Sequence, residues 1–190
     1  MTTPFDSPNP KVDSINMRVE LEKFVLPEIA GTSIYNRVVS IADRLHSYLN
    51  EPKTLARINE VNQPGNSSAK VQDVFLQFAE KLGFESEKKG LFKDSGLALR
   101  PDYFCRVGDT GILLEVERGK TTINNMDLLD FWKCHLCGAA NHLFLMVPLA
   151  LRQNPTMSPR KEFATVSRRL NQFFEPGKGT NVHSLCLFGY

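Results

Sequence analysis

Val71, Val74, Phe75, Phe78 and Leu82 recur at i, i+3, i+4, i+7 and i+11, with Gln77 and Glu80 off the stripe, and predict an amphipathic helix over 68–82. Upstream, Ile15, Val19, Phe24 and Val25, then Ile34, Val38, Ile41, Ala42 and Leu45, fall at helical spacings over 14–29 and 33–50, with Pro52 closing the second stretch. The run NQPGNSS at 62–68 is the clearest linker, since Pro-Gly and clustered Asn and Ser favour turns and supply a helix cap. Three short segments follow at 84–92, 99–107 and 111–118, separated by Asp94-Ser95-Gly96 and by Gly108-Asp109-Thr110-Gly111. They predict an antiparallel meander. Thr121 and Thr122 cap a helix running to about Cys137 and ended by Gly138, with Ile123, Met126, Leu129, Trp132 and Leu136 as its inward stripe.

The unbroken apolar run HLFLMVP at 142–148 has the character of a strand covered on both faces by helices. A helix over 160–174 and a strand over 182–188 complete the chain. The order is α-β-β-β-α-β followed by α-β, an α/β fold whose sheet is flanked by helices. A tail at 1–12, a helical extension at 13–62 and one main domain at 68–190 make up the expected organisation.

Composition narrows the class. With 190 residues, 42% hydrophobic and 23% charged, the chain has the makeup of a folded protein built around one core. Its longest apolar stretch, at 142–151, is well short of the roughly 20 residues that span a bilayer, and the amino terminus lacks a basic segment followed by an apolar one. A cytoplasmic location without membrane attachment is the expectation. Cys105, Cys134, Cys137 and Cys186 are expected as buried thiols rather than a disulfide framework. The formal charge is only +2, but six basic against two acidic residues over 149–190 concentrate the positive excess at the carboxyl end.

The chemistry sits in the meander. Side chains of a strand alternate faces, so Glu115 and Glu117 point one way while Ile112, Leu114 and Val116 point the other. Asp102 precedes the neighbouring strand, and a short turn brings it alongside Glu115. Three carboxylates held this close repel one another unless a cation offsets them, which suits a hard divalent ion, Mg²⁺ above all, with Mn²⁺ able to substitute.

Pro101-Asp102, twelve intervening residues, then Glu115-Val116-Glu117, in an α-β-β-β-α-β order, resembles the PD-(D/E)xK nuclease superfamily over about residues 69–148. The resemblance implies a restriction-endonuclease-like fold with a mixed central sheet and metal-dependent hydrolysis of phosphodiester bonds, most naturally of DNA. It implies metal ligation by Asp102 and Glu115, with Glu117 in the position usually held by a catalytic Lys. Lys120 or Lys133 would supply the displaced positive charge. Glu80 matches the acid that such proteins carry on the first core helix, as a further metal ligand. Asn124, Asn125 and Lys133 would contact the substrate backbone, and a homodimer would place two sites on a duplex.

Other motifs carry less. Cys134, Cys137, His135 and His142 superficially suit zinc, but a second Cys pair is missing and buried thiols explain the spacing. Gly177-Lys178-Gly179-Thr180 lacks the upstream glycine of a phosphate loop. The basic residues from Arg160 to Arg169 suit phosphate contacts or a solvated helix face. The absence of the motif Lys leaves a second expectation open, a catalytically inactive nuclease-fold module that binds nucleic acid or a protein partner.

Overall fold

The computed structural model describes residues 18–86, 92, 99–119, 121–151 and 158–190. Their six strands form one open mixed sheet in the order β1-β6-β5-β4-β3-β2, with β1 Glu20–Val25, β2 Glu85–Ser86, β3 Tyr103–Val107, β4 Thr110–Val116, β5 His142–Val147 and β6 Ser184–Gly189. The five helices are α1 Ser33–Leu49, α2 Pro52–Val61, α3 Ser68–Lys81, α4 Met126–Leu136 and α5 Glu162–Asn171, the last continued by a 3₁₀ turn at Gln172–Phe174. Strands β2, β3 and β4 form the antiparallel meander. Strand β5 pairs parallel with β4 through the α4 crossover, and β6 parallel with β5 through α5.

Alternation along the strands builds two apolar layers. Ile112, Leu114, Val116, Phe144, Met146 and Phe188 face α1, α2 and α3, whereas Leu113, Leu143, Leu145, Val147, Leu185 and Leu187 face α4 and α5. Every residue of β4, β5 and β6 is buried, which is why 142–147 reads as an unbroken apolar run. Among the described residues no helix is long and apolar enough to cross a membrane.

Several expectations are corrected. The helix expected over 14–29 is replaced, in its described part, by strand β1, which closes the sheet antiparallel to β6. Alternation explains it: Leu21 packs toward the α1–α3 layer while Phe24 and Leu26 pack toward the α4–α5 layer, and pairing with the edge of β6 satisfies the backbone. The α4 stripe is also reversed. Ile123, Leu129, Trp132 and Leu136 are about half exposed, and Asp127, Asp130, Phe131 and Cys134 face inward. This helix starts at Met126, after Asn125 in the left-handed region at φ 55°, rather than at Thr121 or Thr122. Pro52, expected to close the helix over 33–50, which in fact stops at Leu49, opens α2 instead, where its fixed φ and missing N–H are tolerated. Of the segment expected as a strand over 84–92, Glu85–Ser86 is strand, and residues 87–91 lie outside the described residues.

Candidate active site

Leu113 points into the α4–α5 layer, so Glu115 and, just past the end of β4, Glu117 follow it onto the same face. The β3–β4 register pairs Tyr103 with Leu114 and so sets Asp102 beside Glu115. The two are laced together reciprocally: Asp102 N–H donates to Glu115 Oε2 at 3.1 Å, and Val116 N–H donates to Asp102 Oδ2 at 2.9 Å. Asp102 and Glu115 thus meet at the carboxyl end of β4, and Glu117 follows on the same face.

Helix α4 covers this spot and adds two side chains. Lys133 Nζ donates to Glu115 Oε1 at 2.7 Å and to Asp130 Oδ1 at 3.0 Å, with Glu115 and Asp130 almost wholly buried. Lys133, expected to contact substrate or to replace the motif Lys, is thus the cation among the acids. Asp130 was not legible as a site residue. The apolar residues of α4 suggested the opposite face as inward, and that choice turned Asp130 away from the sheet. The Asp130-x-x-Lys133 spacing, which puts an acid and a base on one helix face, is the signal that finds it.

The electrostatics follow from buried carboxyls set close together, two of which share one ammonium. Burial, then the charges of Asp130 and Asp102, push the Glu117 carboxyl up to about 8, and its bond to the Asp130 carboxyl keeps the proton on Glu117. Asp130 Oδ2 has no donor unless Glu117 carries that proton. Burial first, then Asp130, raises Glu115 well above the usual carboxylate range against the pull of Lys133. Burial alone would lower Lys133; Glu115 and Asp130 outweigh it and hold the ammonium above its ordinary value.

The other expected residues fall elsewhere. Glu80 is exposed on α3, whose buried residues pack on the opposite face of the sheet from those of α4. Lys120 lies outside the described residues. Asn124 is exposed in the turn before α4, and Asn125 Oδ1 accepts from Arg169 Nη2 at 2.7 Å. That turn is tied down further by Arg169 Nη1 to the Thr122 carbonyl and by Arg160 Nη2 to Thr122 Oγ1. Arg118 leaves the acids for the α2–α3 turn, donating to Asn62 Oδ1 and to the Gln63 and Asn66 carbonyls. The four cysteines are free and buried.

Among the described residues no group of three or more His, Cys, Asp or Glu side chains stands arranged to hold a metal ion. The donor chemistry still suits one. Carboxylate oxygens are the hard donors that divalent ions take, and burial, ahead of neighbouring charge, is what raises Glu115 and Glu117 without one. No family model, no curated protein and no solved structure matches the chain.

Proposed function

We propose that the chain is a metal-dependent nuclease of restriction-endonuclease-like fold that hydrolyses phosphodiester bonds of DNA. The observation that supports this best is the linked set at the end of β4, in which Lys133 bonds Glu115 and Asp130, Asp102 N–H bonds Glu115, and Glu117 meets Asp130. The element order α3-β2-β3-β4-α4-β5 agrees with the resemblance. Asp102, Glu115 and Glu117 would hold Mg²⁺. When bound, the ion supplies polarisation of the phosphodiester and a lowered pKa for an attacking water. Lys133 offsets charge on the phosphate oxygens, the task of the Lys that the tripeptide lacks. Glu117, held ionised by a bound cation, would be placed to accept a proton from water. With Mg²⁺, wild type should cut plasmid or single-stranded DNA, and Asp102→Ala and Glu115→Ala should each lose on the order of a hundredfold or more. Equal cutting by all three proteins removes the site.

One observation favours the second reading, a binding module without catalysis. Both oxygens of Glu115 are already engaged, one by Lys133 and one by Asp102 N–H. DNA binding with no cutting in Mg²⁺ or Mn²⁺ would establish that reading instead.

A further inference from the structure

The outer face of α4 has no partner among the described residues. Ile123 in the preceding turn and Leu129, Trp132 and Leu136 along the helix are 51%, 54%, 49% and 49% exposed. An apolar row of this kind marks a contact surface. The row is bordered by basic groups. Leu128, one turn before Trp132, lines a pocket of about 310 Å³ with Arg169, Gln172, Phe173 and Lys178. Trp132 stacks edge-on against His135, and His135 Nδ1 meets Thr180 Oγ1 at 3.3 Å, two residues beyond the exposed Lys178. Trp132 also precedes Lys133 of the candidate site. A second copy of the chain fits the surface poorly. Four half-exposed side chains offer a few hundred Å² per copy against roughly 800 Å² per partner in a stable pair. An exposed indole beside cationic groups is complementary to an anionic strand with open base faces.

We infer that the α4 face binds single-stranded DNA, with an unpaired base stacked on Trp132 and an adjoining phosphate on Lys178. Duplex DNA hides its base faces and would not engage the indole. The inference rests on the nuclease reading only in taking this DNA as the substrate leading to Lys133. Trp132 is the chain's single tryptophan, so its emission reports on this face alone.

The test uses a thymidine dodecamer and the corresponding dA·dT duplex, with EDTA present so that no cutting occurs. The single strand should quench Trp132 emission saturably, and affinity should fall as salt rises. By anisotropy of a labelled dodecamer, Trp132→Ala and Lys178→Glu should each weaken binding about tenfold, while Trp132→Phe stays within about threefold of wild type. Both positions are exposed, so the variants should fold. An unchanged emission, equal affinity for duplex, full affinity in Trp132→Ala, or a protein dimer that buries Trp132 would overturn the inference. Cutting in Mg²⁺ without quenching dismisses this face and leaves the nuclease reading standing; quenching without cutting does the reverse.

Discussion

Lys133 Nζ and Glu115 Oε1 lie 2.7 Å apart, joining α4 to the end of β4 across eighteen residues of chain. A carboxylate buried to this degree needs such a partner, and here the partner also serves Asp130. Lys133→Met removes the cation and leaves two buried acids facing each other, and should cost about 2–4 kcal/mol near pH 8. Both acids already have raised pKa values, and without Lys133 they rise further, so lowering the pH lets them take protons and relieves the cost. Urea unfolding at pH 8 and pH 5 checks this; a deficit that does not shrink at pH 5 would show that Lys133 acts through packing. DNA cutting should fall by about a hundredfold or more in the same variant.

A divalent ion that binds the folded acids and not the unfolded chain must raise the melting temperature. At a hundred times its dissociation constant the gain is about 2.7 kcal/mol. Mg²⁺ or Mn²⁺ should therefore stabilise wild type and do so much less in Asp102→Asn and Glu115→Gln. Differential scanning fluorimetry over a metal titration makes the comparison, and an equal shift in all three proteins would place the ion away from these acids.

Glu117 gives a prediction of opposite sign to the usual loss on mutation. Its carboxyl titrates near 8 in the fold against an ordinary 4.5, so the fold holds the proton that the unfolded chain releases. The stability it contributes is full below about pH 4.5 and is lost as pH rises through 8. Glu117→Gln keeps the neutral form at every pH. It should match wild type near pH 4.5 and exceed it by on the order of 1–3 kcal/mol at pH 8.5, while cutting falls. Chemical denaturation across that range decides it, and a variant less stable than wild type at pH 8.5 contradicts the assignment.

The acids were legible because period-two alternation is a property of one strand: once 111–118 is a strand, Glu115 and Glu117 must share a face, and a short turn returns Asp102 beside them. The core of the sheet was legible for the same reason, since strands buried on both sides announce themselves as apolar runs. Strand β1 was not. Glu20-Leu21-Glu22-Lys23-Phe24-Val25 is half polar, and what makes it a strand is the free edge of β6, far away in sequence. Nor was the orientation of α4. Apolar side chains are normally the inward ones, but here Leu129, Trp132 and Leu136 face solvent while Asp130 and Lys133 are drawn to the acids of β4. Sequence pattern assumes that helices bury their apolar face, and α4 departs from that where chemistry and binding are proposed.

At the opposite end of the sheet, His142 provides a pH dependence separate from the site. Its ring is fully buried, with Nδ1 2.8 Å from Ser184 Oγ, Nε2 without a partner, and the His183 ring 5.8 Å away. Burial first, then His183, pulls its pKa down to about 4 from 6.5. A histidine lowered in the fold favours the neutral form, so its contribution is intact above about pH 6.5 and is lost as pH falls toward 4, on the order of 3 kcal/mol in all. Acids such as Glu117 shift stability the other way, so the wild-type curve mixes the two. The difference between wild type and His142→Gln isolates the histidine. The variant should be the less stable at pH 7.5, having lost packing, and should close that gap progressively between pH 6.5 and 4. Parallel pH–stability curves for the two proteins would mean that the ring accepts a proton inside the fold without cost, and that the buried imidazole is not held neutral.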